Sequence, residues 1–167
     1  MKDIILTRRS IRSFIPKKIS EENIEYLLRA AMSAPSAKNI NPWHFIVIRD
    51  RKILDEIPKF HKYSQMLYEA PLAICVCGDS KSDKFGGYWI QDCSAATENI
   101  LLAANSLGLG SVWLGVFPRE ERIAKLKELF NIPEGITTLS LIAIGYPNEE
   151  KPPSARFKLD RIHYEKW

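Results

Sequence analysis

The chain has 167 residues, of which 46% are hydrophobic and 26% are charged, and its formal net charge is +4. This composition is typical of one soluble globular domain, residues 1–167, that buries a core without disulfides. Three cysteines do not make a disulfide framework, so reduced thiols and a cytoplasmic setting are expected. Basic and acidic residues are intermixed and the apolar runs are short, which argues against nucleic-acid or membrane partners.

The first predicted elements are mainly helical. Residues 3–8 suit a short helix. Ser20 is a good N-cap for a second helix, which presents one apolar face and ends before Pro35. A polar loop over residues 35–42 then leads into a predicted strand, 43–48, which is rich in aromatic and β-branched residues.

The middle of the chain alternates helices with strands. A short helix over residues 50–57 precedes an apolar strand over 72–77. Because that strand shows no polar alternation, both of its faces are expected to be covered. The alanine- and leucine-rich segment 89–106 is predicted as a long helix that ends at Gly108 and is buried in a core or a subunit interface.

Two strands and one helix complete the predicted fold. The strands are residues 111–114 and 137–144, and Pro118 suits the first turn of a helix that runs to residue 130. From residue 147 onward we expect an extended tail, which either reaches across a partner subunit or folds back on its own domain. The order of elements predicts an α+β fold with a mixed sheet between helices.

The cysteines and histidines do not form a recognisable metal site. Cys75 and Cys77 face the same side of a predicted strand, but no second ligand pair completes a zinc site, so they are interpreted as core residues. Cys93 on the long helix has the same interpretation. A general-base role for His44 is conceivable, although no catalytic constellation accompanies it.

The amino-terminal arginines could bind an anion. Arg8, Arg9, Ser10 and Arg12 place three guanidiniums and a hydroxyl within five residues, which suits a phosphate. Taken alone, this segment is more simply interpreted as a solvated helix end. Gly115 follows a predicted strand, where a glycine lets a ligand approach the backbone; an ordinary strand-to-loop glycine is equally consistent.

Four ordered motifs together carry a family resemblance. Residues 8–12 are Arg-Arg-Ser-Ile-Arg, and residues 34–43 are Ala-Pro-Ser-Ala-Lys-Asn-Ile-Asn-Pro-Trp. The long helix ends in Leu-Gly-Leu-Gly at residue 110, and the tail contains Arg156. In this order the motifs resemble the nitroreductase family of FMN-dependent oxidoreductases, although Asn41 stands where glutamine is more usual.

The resemblance implies an intertwined homodimer with flavin mononucleotide (FMN) at each of two shared interfaces. Arg8, Ser10 and Arg156 would hold the phosphate, with Arg9 in the same cluster. Arg12 would lie near the N1–C2 carbonyl side of the ring. Around the remainder of the flavin, the implied contacts are backbone donors of Leu114 and Gly115 near N5, Gln65 at the pyrimidine edge, and Pro35, Ser36, Ala37 and Asn39 from the other subunit.

The implied activity is transfer of electron pairs from NAD(P)H to a small acceptor, such as a nitroaromatic or a quinone, by a ping-pong mechanism. No dedicated catalytic residue and no metal are expected, because the flavin supplies the redox chemistry. The alternatives are a non-catalytic FMN store or sensor, a related flavin enzyme such as a dehalogenase, and a basic interaction module without flavin. Little sequence separates residues 72–77 from the long helix, so an open pocket is expected.

Overall fold

The computed structural model describes residues 3–84 and 86–167. Its helices are α1 Ile4–Thr7, α2 Glu21–Met32, α3 Arg51–Phe60, α4 Tyr88–Ser106 and α5 Glu120–Phe130. Its strands are β1 Phe14–Ile15, β2 Trp43–Ile48, β3 Leu72–Asp79, β4 Gly110–Gly115 and β5 Ile136–Pro147. Short 3-10 turns occupy Ala37–Asn39, Gln65–Tyr68 and Leu159–Arg161.

The five strands form one sheet in which β3 lies between β2 and β5, and β5 also pairs with β1 and β4. All four of these strand pairs are antiparallel. Within the described residues, parallel pairing is confined to an isolated bridge between Ser10 and Ser111. The mixed sheet expected from the order of elements is therefore antiparallel apart from this bridge, which ties the arginine segment to the start of β4.

The alternation of side chains along β3 divides the core into two layers. Ile74 and Val76 pack in a cluster with α2 and α4, whereas Cys75 and Cys77 pack in a cluster with α3 and α5. The expectation that both faces of this strand are covered is thereby confirmed. Each fully buried aliphatic side chain contributes roughly 1.5–3 kcal/mol to folding, so the two layers stabilise the sheet to which β4 belongs.

Three local features differ from the sequence-based expectations. Helix α5 begins at Glu120 after the N-cap Arg119, so Pro118 precedes the first turn instead of occupying it. Pro118 follows a cis peptide bond, in a turn closed by the Arg119 N–H donating to the Val116 carbonyl at 2.8 Å. Strand β1 has only two residues and shows no periodicity that a sequence could reveal. Helix α3 continues through Pro58 to Phe60.

Every residue of the carboxyl-terminal tail from 152 to 167 is exposed. Its large apolar side chains include Phe157, which is 79% exposed, and Trp167, which is 102% exposed. Whether the tail reaches across a partner subunit or folds back on its own domain stays a prediction. Within residues 3–84 and 86–167, none of the helices combines the length and the apolar character that a bilayer crossing requires.

Candidate functional site

A cavity of about 380 Å³ lies beside the last residues of β4, and we call it the strand-end cavity. Four residues that the sequence analysis assigned to flavin binding line it together: Arg12, Gln65, Leu114 and Gly115. The remaining lining residues are His61, Lys62, Tyr63, Met66, Trp113 and Arg122. Residues from three distant parts of the chain thus converge on the strand end, where a ligand could contact backbone and side chains together.

Gly115 keeps the wall of this cavity open. A Cβ atom built on Gly115 would meet no heavy atom of the chain within 4 Å, and its φ lies outside the left-handed region. Neither packing nor backbone conformation therefore demands glycine at this position. A Cβ atom here would instead project into open space, which is the situation expected where a flat ligand approaches the backbone.

Two side chains donate to the carbonyl oxygen of Gly115. His61 Nε2 lies 3.0 Å from it, and Arg122 Nη1 lies 2.6 Å from it. Because the carbonyl can only accept, the geometry assigns the proton of the neutral imidazole to Nε2. The end of β4 is therefore held from outside the strand by one residue after α3 and one residue on α5.

His61 is the most unusual polar residue of the site. It is 1% exposed, and its Nδ1 atom has no hydrogen-bond partner within the described part of the chain. Burial lowers the pKa of His61, and the nearby charge of Arg122 lowers it further despite the opposing hydrogen bond to Gly115. Sequence reasoning missed this residue, because nothing in the spacing of His61 and Gly115 signals their contact.

A second cavity of about 980 Å³ adjoins the arginine segment, and we call it the arginine cavity. Arg8 and Arg9 line it together with the start of β4 and residues 149–153. Arg8 Nε is paired with Glu98 Oε1 at 3.2 Å, so an anion that binds Arg8 competes with this carboxylate. Segment 8–12 joins the two cavities, since Arg8 and Arg9 line one and Arg12 lines the other.

Glu149 and Lys151 fix the position of that segment. Glu149 Oε1 accepts the backbone N–H of Arg12 at 2.5 Å, and Lys151 Nζ donates to the same oxygen at 2.9 Å. Lys151 also donates to the Ser10 carbonyl at 2.9 Å. The Arg12 N–H and the Lys151 ammonium lower the pKa of Glu149. The sequence analysis did not identify either residue.

The loop containing Pro35, Ser36, Ala37 and Asn39 lies elsewhere on the chain and lines neither cavity. The backbone N–H of Ala37 donates to both carboxylate oxygens of Asp92, at 3.1 and 3.2 Å. The φ angles of Lys38 and Asn39 are 51° and 55°, in the left-handed region. Contacts within the same chain thus fix the shape of the loop. Its role in binding across a subunit interface stays a prediction.

Arg156 is not brought to either cavity. It lies in the exposed tail, well removed along the chain from the segment that it was expected to join. The structure of one chain therefore brings Arg12, Gln65, Leu114 and Gly115 together next to the arginine segment, whereas the tail and the 35–39 loop line neither cavity with them. Their contribution to a phosphate or ring site stays a prediction.

The sequence matches the model of the Nitroreductase family over residues 5–62 and 58–146. A protein of Archaeoglobus fulgidus, provisionally named NADH dehydrogenase/NAD(P)H nitroreductase, is 55% identical over 98% of this chain and 97% of its own length. A solved structure from Clostridium acetobutylicum, provisionally named an NADH oxidase, is 51% identical with a TM-score of 0.95 and covers 99% of this chain and 100% of its own.

A third relative carries the cofactor in its name. The structure of an FMN-dependent nitroreductase from Clostridium difficile is 30% identical, covers 100% of both chains and has a TM-score of 0.92. The family resemblance seen in the four sequence motifs is therefore confirmed over nearly the whole chain.

Proposed function

This chain belongs to the nitroreductase family, and we propose that it is an FMN-dependent oxidoreductase that passes electron pairs from NAD(P)H to a small acceptor by a ping-pong mechanism. The observation that carries the proposal is the strand-end cavity, whose wall is open at Gly115 and flanked by Arg12. The bound flavin would supply the redox chemistry, while the protein would supply position and charge.

The residues present fit such a cofactor. A flavin ring needs a flat approach to the backbone and a cation near its N1–C2 edge, which Gly115 and Arg12 offer in one cavity. The phosphate needs positively charged groups that can donate paired hydrogen bonds, and the guanidinium groups of Arg8 and Arg9 offer these at the other end of segment 8–12. In this arrangement Arg12 stabilises negative charge on the ring, and Gln65 lies within the same wall.

We further propose that two copies of the chain complete the site. The 35–39 loop lines neither cavity, so its contribution requires a second subunit. Apolar side chains that a homodimer would cover are already exposed on α1 and on the tail: Ile5 is 69%, Leu6 68% and Phe157 79% exposed. Exposed apolar surface of this kind commonly marks an interface. The tail would carry Arg156 toward the phosphate of the partner's flavin.

Steady-state kinetics of the purified protein tests the activity. Loaded with FMN, the protein should oxidise NAD(P)H with a quinone or nitroaromatic acceptor. Double-reciprocal plots at several acceptor concentrations should be parallel, because donor and acceptor use the same place in turn. A yellow protein without turnover would support a store or sensor instead. Converging lines would contradict the ping-pong mechanism while leaving the oxidoreductase activity intact.

A further inference from the structure

A groove of about 520 Å³ lies beside the strand-end cavity and shares three residues with it: Lys62, Tyr63 and Arg122. It extends from these residues to Arg119 at the start of α5. We call it the cationic groove. Because the two spaces share lining residues, one elongated molecule could lie in the groove near Arg119 at one end and reach the mouth of the strand-end cavity, beside the proposed flavin, at the other.

Within the part of the chain that the structure describes, the cations of this groove form no ion pair with a carboxylate. Lys62, Arg119 and Arg122 form no ion pair within residues 3–84 and 86–167, although most other exposed cations on α2, α3 and α5 do. Arg122 donates a hydrogen bond to the Gly115 carbonyl oxygen, whereas Lys62 and Arg119 are exposed. Two exposed cations that form no ion pair among the described residues, at the mouth of a cavity, suit the oxygens of a bound phosphate or diphosphate.

An aromatic ring lies between the cations. Lys62 Nζ is 4.8 Å from the centroid of the Tyr63 ring and Arg122 Cζ is 5.6 Å from it. The Tyr63 side chain is nevertheless 61% exposed, so a large part of the ring remains available. An exposed ring beside phosphate-binding cations is a suitable surface for stacking a nucleobase.

Two acids also line the groove. Glu120 and Glu121 are exposed, and within the described residues neither forms an ion pair with the groove's cations. Carboxylates at a nucleotide site accept hydrogen bonds from ribose hydroxyls and repel an additional phosphate. The charge pattern therefore favours a ligand that has a diphosphate and an unphosphorylated ribose.

We propose that the cationic groove binds the adenylate half of NADH while its nicotinamide stacks on the open face of the flavin proposed for the strand-end cavity. Lys62 and Arg119 contact the diphosphate, and the adenine stacks on Tyr63. Glu120 and Glu121 disfavour the 2′-phosphate, so NADH is preferred over NADPH. This inference rests on the proposed function, since it names the donor subsite of the same reaction.

The test compares electron donors that differ only in the adenylate half. For the double variant Lys62→Gln/Arg119→Gln, KM for NADH should rise about fivefold, the size expected for loss of two solvent-exposed ion contacts. The rise should be much smaller with reduced nicotinamide riboside, which has neither phosphate nor adenosine. Lys125→Gln is the matched control, because Lys125 lies on α5 outside the groove and pairs with Glu128.

The role of Glu120 and Glu121 is tested by comparing kcat/KM for NADH with kcat/KM for NADPH. Glu120→Gln/Glu121→Gln should raise kcat/KM for NADPH relative to NADH by severalfold. Binding of ADP-ribose, measured by calorimetry, gives a readout that needs no turnover, and its Kd should rise in the Lys62/Arg119 double variant. Unchanged ADP-ribose affinity in that variant, or equal losses with NADH and the riboside, would overturn the groove assignment. Absence of turnover with every donor and acceptor would instead contradict the proposed function.

Discussion

The imidazole of His61 is buried behind the strand-end cavity, and its Nε2 donates to the carbonyl oxygen of Gly115 at 3.0 Å. The two residues are 54 positions apart in the chain. The contact links the segment after α3 to the end of β4, in the wall where the flavin ring is proposed to lie. A neutral imidazole makes this contact without leaving a donor unpaired, whereas protonation would place a second N–H on Nδ1, which has no acceptor within the described residues.

The first prediction concerns pH. Because the pKa of His61 is lowered in the folded state, its contribution to stability is complete above the unfolded pKa of about 6.5 and is lost as the pH falls through the lower folded value. The melting temperature of the apo-protein should therefore decrease as the pH falls from 7.5 toward 5. His61→Gln should show a flatter profile in this interval, measured by thermal melts in buffers of constant ionic strength.

His44→Gln is the control for that experiment, because His44 is exposed on β2. It should keep the wild-type profile. At pH 7.5, His61→Gln should be less stable by about 1–3 kcal/mol, the cost of disturbing a buried hydrogen bond. Parallel profiles for wild type and His61→Gln would show that His61 does not titrate as described.

The second prediction concerns the phosphate. Arg8→Ala should raise the Kd for FMN roughly 10- to 100-fold, because one charge-assisted contact is worth about 1.5–3 kcal/mol. Glu98→Gln should have the opposite effect, since it removes the carboxylate that holds Arg8 at 3.2 Å. Fluorescence titration of apo-protein with FMN measures both.

Arg29→Ala is a suitable control for the FMN titration of Arg8→Ala. Arg29 is exposed on α2 and pairs with Glu25 at 2.6 Å, outside both cavities. Its affinity for FMN should match that of the wild type. An unchanged Kd in Arg8→Ala would argue strongly against a phosphate at the arginine segment.

The third prediction separates folding from binding at Gly115. Gly115→Val should fold with a melting temperature close to that of the wild type, because a Cβ atom at this position meets no heavy atom of its own chain within 4 Å. It should lose FMN, because the side chain fills the proposed ring position. Gly145→Ala offers the contrast: its Cβ would lie 2.8 Å from Phe14 Cδ1 and 2.8 Å from Pro71 Cδ.

Gly145→Ala should therefore lower the melting temperature by several degrees, since overpacking a filled core costs about 1–3 kcal/mol. A Gly115→Val protein that retains FMN with wild-type affinity would place the ring elsewhere.

The fourth prediction concerns Glu149 and Lys151, which hold the arginine segment. Glu149→Gln weakens the contacts to the Arg12 N–H and to Lys151, so FMN affinity should fall severalfold although the carboxylate itself touches no proposed cofactor atom. Because the pKa of Glu149 is lowered, the wild type should lose this support only as the pH falls from about 4.5 through the lower folded value. A Kd for FMN that is equal in both proteins at pH 7 would rule out this positioning role.

Sequence periodicity predicted the elements that are long or sharply bounded. Strand β2 occupies the predicted residues 43–48, because Pro42 and Asp50 delimit an aromatic and β-branched run. Helix α4 ends at Ser106 as predicted, since Gly108 has a φ of 71° and stops the helix. The resemblance also placed Arg12, Gln65, Leu114 and Gly115 in one set, and the fold brings these four together.

The remaining features depend on tertiary contacts that leave no local pattern. His61 reaches Gly115, and Lys151 reaches Ser10, only because the sheet and helices bring distant segments together. The two-residue β1 is too short for alternation to be visible. The loop at residues 35–39 lines neither cavity, and the tail is exposed, so their expected contacts to the cofactor stay predictions.

Sedimentation velocity with detection at both protein and flavin wavelengths tests the central claim most directly. After incubation with excess FMN, the protein should sediment as a dimer that carries flavin absorbance equivalent to two FMN molecules. A species of monomer mass that sediments without flavin absorbance would contradict an FMN site shared between two subunits.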